Sequence, residues 1–344
     1  MNKLNENIFH QYNKWKKGYE RKEHSLQMRL NDFLSNKKRN VECYHISEDG
    51  KYVDCDESIV ISDSDLINGK FPFPFGTVYG DFGCWSCESL ISLEGAPNEV
   101  GGDFDCKECD NLTSLKGSPK NISGLMDCSG CKITSLEGAP EKVGGQFECI
   151  NCPNLTSLKG APNEVGEDFD CIGCPIISLE GAPEKVGGSF GCYACNLLTS
   201  LKGAPKEVGK FFDCTDCPNL ISLVGAPKEV GEQFTCDRCE NLTSLVGAPE
   251  KVGEDFSCCE CPNLTSLVGA PKEVVGTFRC RGCENLTSLE GAPKKVNGWF
   301  NCTGCKSLTS LEHLPKEING VLKVDKRFNG KIPSDINIIR IRYW

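Results

Sequence analysis

The chain has 344 residues and a net charge of −10, with 25 cysteines, 36 glycines and 18 prolines, and 25% of its residues are charged. This composition disfavours a disordered or collagen-like chain. No stretch approaches the roughly 20 apolar residues of a membrane helix, and the first residues lack the apolar block of a signal peptide. We therefore expect a cytoplasmic protein with no membrane partner.

The charge is unevenly distributed along the chain. Residues 1–42 and 323–344 are basic, whereas the residues between them are acidic. An acidic body repels phosphate groups, so the sequence predicts no nucleic-acid partner.

Residues 1–42 are predicted to form a basic segment that contains an amphipathic helix. Within residues 6–35, apolar residues recur at spacings of three, four and seven. These apolar positions are Ile8, Tyr12, Trp15, Tyr19, Leu26, Leu30 and Phe33. We expect the helix to pack against the first coil of the structure that follows, and the alternative is a helix that binds a partner or self-associates.

Residues 43–80 and 316–344 predict the two caps of a repeat array. Residues 59–80 read as a degenerate coil in which the sequence FPFPF replaces Gly-Ala-Pro, and the C-terminal residues repeat the same spacing without cysteines. Terminal units of repeat proteins need an outer face that is polar or covered. These atypical units are therefore predicted to close the array at both ends.

Residues 81–315 contain eleven Cys-x-x-Cys repeats. The first cysteines of these motifs are Cys84, Cys106, Cys128, Cys149, Cys171, Cys192, Cys214, Cys236, Cys258, Cys280 and Cys302. The full unit of 21 or 22 residues reads F-x-C-x-x-C-x-x-L-T-S-L-x-G-A-P-x-x-V-x-G-x. A fixed period of this length is typical of a solenoid, in which each coil buries its apolar residues against its neighbours.

Each repeat predicts one short parallel β-strand at F-x-C, because alternate residues of a strand face the same side. Leu-Thr-Ser-Leu and Gly-Ala-Pro then predict turns, or a short helical turn begun by proline, on the outer side of the coil. Phe, Leu and Val side chains of successive coils are expected to stack in columns and form one continuous core.

The repeat resembles the leucine-rich repeat, with V-x-x-x-F-x-C-x-x-C-x-x-L in place of the family's L-x-x-L-x-L-x-x-N/C-x-L. It is also similar to the short "LTSLxGAPxxVxGxFxC" repeats of proteins from bacteria and their large viruses. The resemblance covers roughly residues 57–342. It implies a parallel β-sheet along one face of the solenoid, which is usually a binding face, and it implies no particular partner.

The paired cysteines have three interpretations. Adjacent motifs match the spacing of four-cysteine zinc sites, but the same spacing follows from any repeat of 22 residues. We favour core packing without metal or cofactor, because a free thiol is a good small core residue. Metal or iron–sulfur binding and disulfides between coils are the alternatives. Cys259 is not one of the paired cysteines of its motif; it is expected to point to the open strand face and to be the reactive thiol.

Function is expected where the repeat varies. The residue between Phe and Cys forms an acidic ladder on the open strand face, which fades and turns basic along the array. Like charges on neighbouring strands suggest a partner, and a solvated face is the alternative. Exposed aromatic residues beside this ladder are plausible anchors. The predicted partner-binding residues are Asp105, Asp127, Glu148, Asp170, Asp213, Trp85, Tyr193, Phe211 and Trp299.

The sequence favours a binding protein over an enzyme. It has four histidines, none in a recognisable catalytic motif, and no glycine-rich phosphate loop. We therefore predict a non-enzymatic module that binds a protein partner, with a basic segment, through the open strand face. The alternative is a cysteine-rich solenoid that binds metal or acts in redox chemistry.

Overall fold

The computed structural model of the protein describes residues 25–35 and 39–344. Helix α1, Leu26–Ser35, buries Leu30, Phe33 and Leu34. The ring of Phe33 packs edge-on against that of Phe73, with their centroids 5.2 Å apart. The C-terminal part of the predicted amphipathic helix therefore packs on the cap, whereas residues 6–24 of that prediction lie outside the described residues.

The rest of the described chain is a β-solenoid, which confirms the predicted architecture. The predicted strand forms in each coil and pairs in parallel with the same strand of the next coil, as Phe169 does with Phe190. We call these the Phe strands. They are Ile59–Val60, Phe82–Gly83, Phe104–Asp105, Met126–Asp127, Phe147–Glu148, Phe169–Asp170, Phe190–Gly191, Phe212–Asp213, Phe234–Thr235, Phe256–Ser257, Phe278–Arg279 and Phe300–Asn301.

A second short strand in each coil ends at the repeat's valine. We call these the Val strands. They are Phe75–Val78, Glu99–Val100, Asn121–Ile122, Lys142–Val143, Glu164–Val165, Lys185–Val186, Glu207–Val208, Glu229–Val230, Lys251–Val252, Glu273–Val274 and Lys295–Val296. The residues after proline thus extend directly into a strand, so the outer side of the coil consists of turns.

The caps contain the longer strands. At the N-terminal end Tyr44–Ile46 pairs antiparallel with Val53–Cys55. At the C-terminal end Glu317–Val324 pairs with both Lys295–Val296 and Phe300–Asn301, and Asn337–Tyr343 pairs in parallel with Glu317–Val324. Three short 3₁₀ helices, Val41–Cys43, Asp63–Asp65 and Lys326–Phe328, complete the elements of the caps.

The core of the solenoid is a set of stacked columns. The rings of Phe169, Phe190 and Phe212 are fully buried, with successive centroids 5.4 and 5.3 Å apart. The leucines of the outer turns and the cysteines of the motifs form parallel buried columns. Each column residue therefore contacts mainly the two neighbouring coils, as expected for a solenoid.

The glycine of Gly-Ala-Pro is required by backbone conformation and by space. Gly160 has a φ of 94°, and a Cβ built on it would lie 2.5 Å from the Cα of Glu137 in the preceding coil. His313 occupies the same repeat position in the last coil with a φ of 67°, a region that non-glycine residues seldom adopt.

Among residues 25–35 and 39–344, the structure has no helix with the length and apolar character needed to span a membrane.

Candidate functional site: the open face of the Phe strands

The open face consists of three outward columns of side chains. Because Phe and Cys point into the core, the residues before Phe, between Phe and Cys, and after Cys point outward. We call these the leading, central and trailing columns. In register, the central column contains Gly83, Asp105, Asp127, Glu148, Asp170, Gly191, Asp213, Thr235, Ser257, Arg279, Asn301, Lys323 and Arg342.

The first two acids of the central column share one counter-charge within the chain. The Nζ of Lys107 lies 3.1 Å from Asp105 and 3.5 Å from Asp127. Asp127 is only 4% exposed, and its Oδ1 accepts the backbone N–H of Ser129 at 2.9 Å. These predicted binding residues therefore have a structural role, and little of Asp127 is open to a partner.

The carboxylates of Glu148 and Asp170 differ from the first two because no ion pair forms with them among residues 25–35 and 39–344. Both are partly buried on adjacent strands. Burial, followed by the charges of Asp168, Glu148 and Asp213, raises the pKa of Asp170 to about 7. Burial, followed by the charge of Asp127, also raises the pKa of Glu148, and the charge of Lys107 opposes this rise. This part of the face therefore concentrates acidic groups that form no ion pair in the described part of the chain.

Asp213 has an additional local contact. Its Oδ1 accepts the backbone N–H of Thr215 at 2.9 Å, which stabilises the turn that follows the cysteine. The same bond is made by Asp105 to Lys107 at 3.1 Å. The side-chain oxygens of Asp and Asn are well suited to such turns. Part of the acidic ladder is thus explained by the fold.

The four predicted aromatic anchors are exposed on this face. The exposed fractions of Trp85, Tyr193, Phe211 and Trp299 are 43, 40, 42 and 43%. The ring of Trp85 covers the backbone of Gly83, since a Cβ added there would lie 1.9 Å from that ring. Tyr193 and Phe211 lie on adjacent strands, in the trailing and leading columns respectively. They flank the acidic part of the face.

The C-terminal end of the face is basic, which the sequence analysis did not place. Lys323 lies in the central column with its Nζ 3.8 Å from the ring centroid of Trp299. Arg342 follows it on the last strand. Burial, followed by the charges of Arg342 and Arg279, lowers the pKa of Lys323. The sequence does contain a signal for the position of Lys323, because residues 318–324 keep the apolar spacing of the coils although they lack the cysteines.

The motif cysteines are bonded to the backbone of neighbouring coils. The Sγ of Cys195 donates to the carbonyl oxygen of Cys171 at 3.3 Å, and the Sγ of Cys171 donates to that of Gly191 at 3.5 Å. The same two contacts recur along the array, which supports the packing role. Within residues 25–35 and 39–344, no cluster of three or more His, Cys, Asp or Glu residues could hold a metal ion.

Cys259 is the least buried cysteine in the described part of the chain, and it lies in the trailing column. Burial, followed by the charge of Asp237, raises its pKa to about 11. Its backbone N–H also bonds to Asp237 at 2.6 Å. A thiol reacts as its thiolate, so the raised pKa disfavours the reactive form of Cys259 at neutral pH.

Comparison with protein-family models, curated proteins and solved structures gives no match to this chain.

Proposed function

We propose that the chain is a non-enzymatic protein-binding module, similar in architecture to leucine-rich-repeat proteins, that binds a basic protein segment on its open face. The observation that carries the proposal is the pair Glu148 and Asp170, two partly buried carboxylates with no ion pair in the described part of the chain. Leaving two such charges side by side is unfavourable, and cationic side chains of a partner would relieve the repulsion.

The exposed aromatics supply the apolar part of the proposed site. Tyr193 and Phe211 border the acidic residues, and each keeps about two fifths of its surface in solvent. Tyrosine and other aromatic side chains dominate the free energy of many protein interfaces. The acids would therefore steer and orient the partner, and the aromatics would slow its dissociation.

The cytoplasm is the compartment that fits this proposal. The 25 cysteines remain available as thiol donors only under reducing conditions. Their bonds to backbone carbonyls hold the coils that display the open face.

The test is affinity capture from a host-cell lysate with the full chain as bait. We expect specific proteins to be retained, and their retention to decrease as salt increases. The variant Glu148→Gln/Asp170→Asn/Asp213→Asn should lose at least about tenfold of this retention. The amides keep the shape of the face, and Asn at position 213 preserves the acceptor for the N–H of Thr215.

The matched control changes three exposed acids away from the open face, Glu137→Gln/Glu180→Gln/Glu229→Gln. It removes the same charge and should retain the captured proteins. Retention by the first variant together with loss by the control would place binding on the outer side of the solenoid and refute the proposal.

A further inference from the structure

The central column of the open face has a charge order that reverses about its midpoint. In register, its last ten residues are Glu148, Asp170, Gly191, Asp213, Thr235, Ser257, Arg279, Asn301, Lys323 and Arg342. If the first of these ten residues is matched with the last, the second with the ninth, and so on, every acidic residue is matched with a basic one. Every neutral residue is matched with a neutral one.

We propose that the open face binds a second copy of this chain, antiparallel to the first, about a two-fold axis between Thr235 and Ser257. The inference rests on the proposed function, because it identifies the partner of the same face. For two open faces to meet, the two-fold axis must lie in the interface; an axis parallel to the strands reverses the order of the strands and keeps their direction, so the interface is self-complementary.

This arrangement pairs the charges that have no partner within one chain. Glu148 faces Arg342 of the second copy, and Asp170 faces Lys323. No ion pair is present for these four residues in the described part of a single chain. By symmetry each pairing occurs twice, so the dimer contains four new pairs of opposite charge from these residues. Asp213 faces Arg279 in the same way.

The acids outside the overlap are already compensated. Asp105 and Asp127 precede Glu148 in the central column and would extend past the last strand of the second copy. They are the two acids that share Lys107, at 3.1 and 3.5 Å. The chain thus supplies an ion-pair partner for its acids where the second copy is absent and supplies none where the bases of the second copy are expected.

The flanking columns agree with the same axis. The rotation keeps the leading column opposite the leading column and the trailing column opposite the trailing column. Ile150 therefore lies opposite Trp344, which gives an apolar pair, and Phe211 lies opposite Thr277. Neither flanking column brings two like charges together.

The overlapping surface is large enough for a specific dimer. Ten strands about 4.8 Å apart, each with outward positions spanning about 13 Å, give about 560 Å² per copy. The total of about 1,100 Å² lies just above the roughly 1,000 Å² that a specific interface needs. We therefore expect a reversible dimer whose affinity depends on its charges.

Sedimentation equilibrium of the purified full chain tests the inference. We expect a monomer–dimer equilibrium that weakens as salt increases. Asp170→Lys and Lys323→Asp should each weaken dimerisation by about tenfold or more, because each places like charges in contact. The double variant Asp170→Lys/Lys323→Asp should return to within about threefold of wild type, since the exchanged charges again face each other.

The control is Lys228→Asp, which reverses an exposed charge away from the open face and should leave the dimer unchanged. A wild-type chain that stays monomeric at about 100 µM overturns the inference. So does a double variant that fails to recover. The capture experiment is read separately, since a monomer that retains other proteins through Glu148, Asp170 and Asp213 would leave the proposed function standing.

A cross-link checks the position of the axis. Tyr193 in the trailing column would face Thr303 of the second copy in the same column. Tyr193→Cys/Thr303→Cys, treated with a thiol oxidant at about pH 9, should therefore form a reducible covalent dimer, because the two positions lie five strands apart within one chain. Thr199→Cys/Thr309→Cys, exposed on outer turns, should not. A wild-type dimer without cross-linking of Tyr193→Cys/Thr303→Cys would contradict the proposed axis.

Discussion

The thiol of Cys217 lies 3.3 Å from the carbonyl oxygen of Cys192, one coil earlier, and donates a hydrogen bond to it. Both cysteines are fully buried. The repeated cysteine thus fills a small space in the core and satisfies a carbonyl of the neighbouring coil.

We predict that Cys217→Ala lowers the free energy of unfolding by about 1–3 kcal/mol, because it removes buried volume and leaves a carbonyl without its donor. Chemical denaturation under reducing conditions measures the change. Cys259→Ala, at the least buried cysteine described, should change it by less than about 0.5 kcal/mol. Equal effects at the two positions would contradict the packing role.

The packing role also predicts the composition of the purified protein. Elemental analysis should find less than about one zinc or iron per chain, and titration of the unfolded chain should detect all 25 cysteines as thiols. A higher metal content would support the alternative of a metal-binding solenoid. A much lower thiol count would support disulfides between coils.

The stacked phenylalanines predict strong coupling between coils. Phe190→Ala should cost about 3–5 kcal/mol, because its ring is fully buried between Phe169 and Phe212. Unfolding should separate into two segments, since each coil depends on its neighbours. Calorimetry measures both effects. Phe211→Ala, at an exposed phenylalanine that precedes Phe212 in sequence, is the control and should leave the transition nearly unchanged.

The last coil contains a position at which a substitution should stabilise the fold. His313 has a φ of 67° where the other coils have glycine, and its side chain is exposed. His313→Gly should therefore raise the free energy of unfolding by about 1 kcal/mol. Gly291→Ala at the equivalent position should lower it, because its Cβ would lie 2.4 Å from the Cα of Val268. Thermal melts distinguish the two signs.

Asp170 predicts a pH dependence of stability. Its pKa rises from 3.8 to about 7 on folding, so the folded chain holds this proton more tightly than the unfolded chain does. The free energy of unfolding should therefore fall as pH rises between these two values. After allowance for solvent screening, Asp170→Asn should be about 1 kcal/mol more stable than wild type at about pH 8.

The two proteins should be equally stable near pH 4, where Asp170 is largely protonated in the folded wild type. Denaturation at low protein concentration, at which the monomer dominates, measures the difference. A constant difference between the two proteins across this pH range would contradict the proposed environment of the carboxyl group.

The sequence predicts the columns of this fold well because the repeat period determines which residues of successive coils lie side by side. Once Phe and Cys are placed inward, Asp170 and Tyr193 must point outward from neighbouring strands, as the structure shows. The Val strands were not predicted as strands because two residues followed by glycine carry no strand-length pattern. Their pairing depends on the contact with the next coil.

The electrostatic state of the open face was not predictable in the same way. Whether Asp127 is compensated depends on the reach of Lys107 from the preceding coil, and whether Asp105 is needed by the fold depends on the geometry of its turn. Such information resides in side-chain positions, whereas the periodic spacing identifies only the column to which each residue belongs.

The hydrogen bonds between coils also determine how the molecule would respond to force. Bonds such as Cys192 N–H to the carbonyl of Asp213, at 2.9 Å, run along the solenoid axis. A pull on the two ends of the chain therefore loads each coil boundary in series, and the terminal coils peel off first. Each detached coil of 22 residues would lengthen the chain by about 70 Å. The solenoid should behave as a stepwise extensible tether.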